Sequence, residues 1–119
     1  MTHPPEQRTI RKPITLTGVG LHTGQPVTLT FKPADPDSGI AFRRMDLPGT
    51  PLVQASAAHV KEVLRGTTIR GEGGAVIHTV EHVMSALYGM GVDNAIVEID
   101  SAEPPILDGS ALRFAEALR

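Results

Sequence analysis

Two hydrophobic periods divide this sequence, and the change from one to the other limits the folds open to it. Val27-Thr28-Leu29-Thr30-Phe31 alternates apolar and polar residues, the pattern of a strand with Val27, Leu29 and Phe31 inward. Val80, Val83, Met84 and Leu87 instead recur at three- and four-residue steps, the apolar stripe of an amphipathic helix. A strand layer and a helix layer must therefore share one core.

The remaining segments extend that pattern. Residues 9–17 read as a strand with Ile10, Ile14 and Leu16 on one face, and Pro13 marks an edge or an irregularity. Residues 40–45 form a third strand, and three early strands joined by short turns predict an antiparallel meander. Pro48-Gly49-Thr50-Pro51 reads as a turn, and Leu52 to Val63 mixes strand and helix signals. Residues 67–77 read as a hairpin turning at Gly71-Glu72-Gly73-Gly74. Residues 94–99 form another strand, and Pro104 and Pro105 break the chain beyond it. Residues 110–119 read as a final helix with Ser110 as a possible N-cap and Leu112, Ala115 and Leu118 inward. Residues 1–7 look like a disordered tail. The predicted fold class is α+β: a two-layer sandwich, mainly antiparallel sheet with two helices packed on one face.

Composition removes several function classes. A length of 119 residues suits one domain, burying roughly two-thirds of the surface its unfolded chain exposes. With three Phe, one Tyr and no Trp, the core must be mostly aliphatic. A net charge of -2 with both signs interspersed leaves no basic stripe, so nucleic acid is not an expected partner. The absence of Cys excludes disulfides and thiolate metal sites, so any zinc would rest on His and carboxylates. No apolar run reaches the roughly 20 residues of a transmembrane helix, so no transmembrane segment is expected. The polar start of the chain lacks a secretory pattern, and the expected localisation is cytoplasmic.

The chemistry-bearing residues gather at the start of the central helix. Thr79 suits an N-cap, which places Glu81 and His82 in the first turn, and Gly89 and Gly91 close the helix. The positive end of the helix dipole favours a carboxylate and disfavours a charged imidazole. A neutral imidazole can bind metal and a neighbouring carboxylate can accept a proton, so the pair reads as half of a metal-hydrolase site. The same pair is also ordinary helix-start chemistry. His78-Thr79-Val80-Glu81-His82 matches the inverted zincin pattern, but that reading requires His78 inside the helix, whereas a cap at Thr79 leaves it outside.

Gly18-Val19-Gly20-Leu21-His22-Thr23-Gly24 is followed by a strand, not the helix a dinucleotide fingerprint requires. It is either a glycine-rich hairpin connection or a loop whose backbone approaches a ligand while His22 points at it. Asp108-Gly109-Ser110 reads as a turn and cap at a strand-to-helix junction. Arg43 and Arg44, with Asp46, could clamp an anion, yet neighbours on a strand face opposite ways, so at most one arginine enters any site. His59 reads as a surface or boundary residue.

Four motifs occur here in the order in which they occur in one family: the Gly18–Gly24 loop, Arg43-Arg44-Met45-Asp46-Leu47, Thr79-Val80-Glu81-His82 and Pro105-Ile106-Leu107-Asp108-Gly109-Ser110. From about residue 9 to 119 the chain resembles the UDP-3-O-acyl-N-acetylglucosamine deacetylases of lipid A synthesis. The resemblance implies two similar α+β domains with a zinc site between them, of which this chain corresponds to the N-terminal one. It implies His82 as a zinc ligand, Glu81 as general base, and His22, Asp108 and Thr67 as cleft-lining or substrate-binding positions. It assigns the remaining zinc ligands, in a His-x-x-x-Asp motif, to a second domain, together with a Thr and a further His. No His of this chain has Asp four positions later. Leu64-Arg65-Gly66 stands where some members carry a Cys near the metal. The implied reaction is hydrolysis of the 2-acetamido group of an acylated UDP-N-acetylglucosamine, with Zn2+ as cofactor and the chain inactive by itself. The competing class is a non-catalytic module that binds a nucleotide sugar or a partner.

Overall fold

The computed structural model describes residues 7–55 and 69–119. Among the described residues there are seven strands before and after the central helix: β1 (Ile14–Val19), β2 (Pro26–Pro33), β3 (Ile40–Arg44), β4 (Leu52–Ala55), β5 (Ile69–Arg70), β6 (Val76–Ile77) and β7 (Ala95–Ile99). The helices are α1 (Glu81–Gly89) and α2 (Leu112–Leu118). A five-stranded sheet has the order β1-β2-β7-β3-β4, and β5 pairs with β6 in a small second sheet. All pairs are antiparallel except β3 with β7. The α+β sandwich expected from the two periods is therefore present.

Its strand order is not the expected meander. β2 and β3 do not pair; β7 lies between them, antiparallel to β2 and parallel to β3. The pairing register shows what β7 contributes there. Ile14, Phe31, Val97, Phe42 and Val53 stand side by side across all five strands, an unbroken apolar row. The neighbouring row is Leu16, Leu29, Ile99 and Arg44. Ala95, Val97 and Ile99 are fully buried, and cross-strand apolar contact on both sides of β7 outweighs the convenience of a short β2–β3 connection. The strand after Pro13 lies at the sheet edge, where proline costs no ladder bond.

Arg44 ends its row on the core face, only 7% exposed. Its guanidinium donates to both carboxylate oxygens of Asp46, at 2.8 and 2.7 Å, and to the Val76 carbonyl at 2.7 Å. Asp46 is held below the usual carboxylate range, first by these hydrogen bonds from Arg44. Arg44 is thus a strut between β3 and β6, and Arg43 turns away to the Thr50 carbonyl.

Both helices cover the apolar rows. α1 buries Val83, Met84, Ala86 and Leu87. Of the two glycines expected to close it, Gly89 is still helical and Gly91 makes the stop: Gly91 has φ +74°, the Gly91 amide donates to the Tyr88 carbonyl, and the Val92 amide donates to that of Leu87. This double bond pattern satisfies carbonyls that the helix end leaves open. In α2 the inward stripe is Ala111, Phe114, Ala115 and Leu118, and Leu112 is 58% exposed rather than inward. The Phe114 ring meets that of Phe31 edge-on, centroids 6.5 Å apart. Ala111 takes the cap position; Ser110 precedes it, its hydroxyl accepting from the Leu112 amide at 3.2 Å. Gln7, expected in a tail, is pinned to Asp37 and Asn94 through its side chain. The other residues expected in that tail, and Thr67 and His59, lie outside the described residues.

Candidate active site

The start of α1 is reached by a sharp reversal. β6 ends at Ile77, the His78 amide donates to the Ala102 carbonyl at 2.7 Å, and Thr79 adopts φ 57° before buried Val80 begins the helical turn. Left-handed backbone is costly for a β-branched residue, so the turn persists only because buried neighbours on both sides enforce it. Thr79 therefore makes the corner and does not cap the helix. Val80 holds the cap position, and no side chain among the described residues bonds there. His78 falls three residues before the helix, which removes the one-face geometry that the inverted zincin pattern demands.

Glu81 and His82, both half-buried, line a cavity of about 110 Å³ with Thr79 and Val83. Its other walls are Leu21, the run Glu103-Pro104-Pro105-Ile106, Gly109 and Phe114. Three of the four sequence motifs thus meet at one cavity, and the Arg43–Leu47 motif does not. Glu81 Oε2 is buried and has no hydrogen-bond partner among the described residues. Buried acceptors are nearly always paired, so this oxygen keeps the capacity to accept a hydrogen bond from a group other than the described residues.

His22 and Asp108 do not line the cavity themselves but follow or precede residues that do, Leu21 and Gly109. Asp108 is exposed, and its Oδ1 accepts from the Ser110 amide at 3.0 Å and the Ser110 hydroxyl at 2.9 Å. Those bonds, the amide first, hold its carboxyl below the ordinary value. Two of the loop's three glycines, Gly18 and Gly20, are packed against protein, while Gly24 has open space beside it. A Cβ on Gly18 would meet Pro105, and one on Gly20 would meet the Glu103 carboxylate and the Thr23 hydroxyl. The close approach lets Gly20 bridge Pro105 and the Ile106 amide donate to the Val19 carbonyl at 2.8 Å.

Glu103 is the residue that sequence reasoning missed. It is 2% exposed in the cavity wall, and its Oε1 accepts from the amides of His22 and Thr23, each at 2.8 Å. Its Oε2 lies 3.1 Å from His22 Nδ1. Burial opposes its charge, but the Thr23 amide, the His22 ring and the His22 amide outweigh that and hold its carboxyl below the ordinary value. One signal was available: an acid directly before Pro104-Pro105, where the chain is about to be buried, needs partners.

Among the described residues no three His, Asp or Glu side chains converge where they could hold a metal ion. His82 is one side chain of a metal-ligating type, and the neighbouring Glu81 carboxylate, half-buried with one buried unpaired oxygen, can accept a proton. A carboxylate that accepts protons next to a ligand-type imidazole is the equipment of a hydrolytic half-site. The family model for UDP-3-O-acyl N-acetylglycosamine deacetylase matches residues 7–119, and the chain belongs to that family. It is 53% identical over 112 residues to the bifunctional enzyme LpxC/FabZ of Chlorobaculum tepidum, covering 94% of this chain and 24% of that protein. It is 52% identical over 109 residues to the UDP-3-O-acyl-N-acetylglucosamine deacetylase of Cellvibrio japonicus, covering 92% and 36%. To the protein of that name from Anaeromyxobacter dehalogenans it is 54% identical over 108 residues, covering 91% and 34%. The chain spans between 24% and 36% of the length of these relatives. No helix among the described residues is long and apolar enough to cross a membrane.

Proposed function

We propose that this chain carries one half of a zinc-dependent deacetylase site that hydrolyses the 2-acetamido group of UDP-3-O-acyl-N-acetylglucosamine and releases acetate, as a cytoplasmic step of lipid A biosynthesis. The observation that carries the reading is the unpaired, buried Glu81 oxygen next to His82 at a cavity where three family motifs meet. His82 would hold the zinc with ligands from outside the described residues. Zinc, when bound, supplies Lewis acidity, polarising the scissile carbonyl and acidifying water toward a pKa of about 7. Glu81 takes the proton of the attacking water as its oxygen bonds to the acetamide carbon. It holds that proton for the sugar nitrogen as the C–N bond breaks, so acetate and a free amine leave. The cavity fits an acetyl group but falls well below the roughly 300–1,000 Å³ of sites that enclose a whole ligand. The nucleotide and acyl chain would lie beyond it, against a second domain.

The test is acetate release by this chain alone and together with a complementary C-terminal half. The expected result is release only from the pair, falling by about a hundred- to ten-thousand-fold in Glu81→Ala. Near-full turnover by the Glu81→Ala pair would remove the assignment. A pair that only binds the nucleotide sugar would favour the non-catalytic module.

A further inference from the structure

The mechanism above leaves one buried carboxylate of the cavity wall without a task. Glu103 has both oxygens engaged by the glycine loop: Oε1 by two amides and Oε2 by the His22 ring. An ionised carboxylate only accepts, so the ring nitrogen facing it must carry the hydrogen. His22 is then held with Nδ1–H toward Glu103, and its Nε2 is left as the outward atom of a side chain that is 70% exposed. Two consecutive amides aimed at one carboxylate oxygen also fix the loop backbone against the wall that holds Glu81 and His82. Gly20 permits this, because a side chain there would occupy the space of the carboxylate.

We propose that Glu103 is a positioning residue: it docks the 20–24 loop on the cavity wall and sets the tautomer of His22, so that an imidazole Nε2 able to accept a proton or hydrogen bond stands at the rim. As a contribution to catalysis this rests on the deacetylase reading; as a statement about the loop and ring it does not.

The experiment is nitrogen-15 NMR of the imidazole rings in this chain, with amide hydrogen exchange, for wild type, Glu103→Gln and Glu103→Ala. In Glu103→Gln the two loop amides keep the side-chain oxygen as acceptor, which turns the new NH2 group toward His22. The ring must then accept at Nδ1, so the neutral His22 ring switches from Nδ1–H to Nε2–H while the His22 and Thr23 amides stay protected. In Glu103→Ala both amides exchange at least about tenfold faster. An unchanged tautomer in Glu103→Gln, or a wild-type ring already carrying its hydrogen on Nε2, overturns the proposal. If Glu103→Ala does not fold, the near-isosteric Gln variant still decides it. In the paired acetate assay Glu103→Gln is expected to lose about ten- to a hundred-fold, the range seen when a group orienting a metal-ligating imidazole is removed. Absence of acetate release from the wild-type pair would sink the deacetylase reading and leave the ring spectrum intact.

Discussion

Replacing Phe114 by alanine should be the most damaging single truncation in α2. The side chain is 1% exposed and is the fully buried anchor of that helix. Burying about 150–250 Å² of aromatic surface at ~25 cal/mol per Å² contributes about 4–6 kcal/mol. Alanine keeps only the Cβ part of that. The edge-on contact with Phe31 adds about 0.5–1.5 kcal/mol, and the space vacated adjoins the existing cavity, where collapse offers little relief. The expected loss is about 3–5 kcal/mol, a large share of the ~5–15 kcal/mol available to a domain. At roughly 4 °C per kcal/mol, the melting point should fall by about 12–20 °C. Urea unfolding followed by far-UV circular dichroism measures this, with Leu112→Ala as the internal control. Leu112 is 58% exposed, so its loss should stay within about 0.5 kcal/mol. Equal midpoints for the two variants would refute the assignment of the helix face.

Three further outcomes are expected. After dialysis, metal analysis should find well under one zinc per chain, since catalytic zinc sites use three protein ligands and the described residues offer no such group; stoichiometric retention would contradict this. Glu103 and Asp46 have lowered pKa values, so the stability they contribute is fully present above their ordinary values of 4.5 and 3.8 and is lost as pH falls through the lowered ones. Urea midpoints should therefore drop in that acidic window and drop less in Glu103→Gln; parallel pH profiles for the two proteins would argue against it. Gly20→Ala should expel the Glu103 carboxylate from its place and speed exchange of the Thr23 amide, and protection equal to wild type would show that the loop tolerates the added carbon.

Much of the fold was legible because it depends on local period. The alternation around Leu29 and the helical stripe around Met84 each bury the residues they nominate, and the Gly71–Gly74 stretch does turn a hairpin between β5 and β6. Strand order was not legible, since inserting β7 depends on partners more than fifty residues away in the chain and no local pattern encodes it. Thr79 illustrates a different limit. Its composition suits a cap, but the approach from β6 requires a corner at that residue, and tertiary geometry prevails over local preference. Leu112 was misplaced because the α2 stripe runs through Ala111, a small residue that hydrophobic spacing readily passes over. In the site, Glu81 and His82 were found together because they share one turn of helix. Glu103 escaped because its partners, His22 and Thr23, lie about eighty residues earlier.

The central position of β7 also bears on how the molecule is made. Synthesis delivers β1 with β2, and β3 with β4, as two separate ribbons whose inner edges stay open. Only when residues 95–99 leave the ribosome can a single strand join both ribbons and close the sheet. A nascent chain halted before that point holds all the early strands and still lacks the staple between them, so vectorial folding here should advance in one late step.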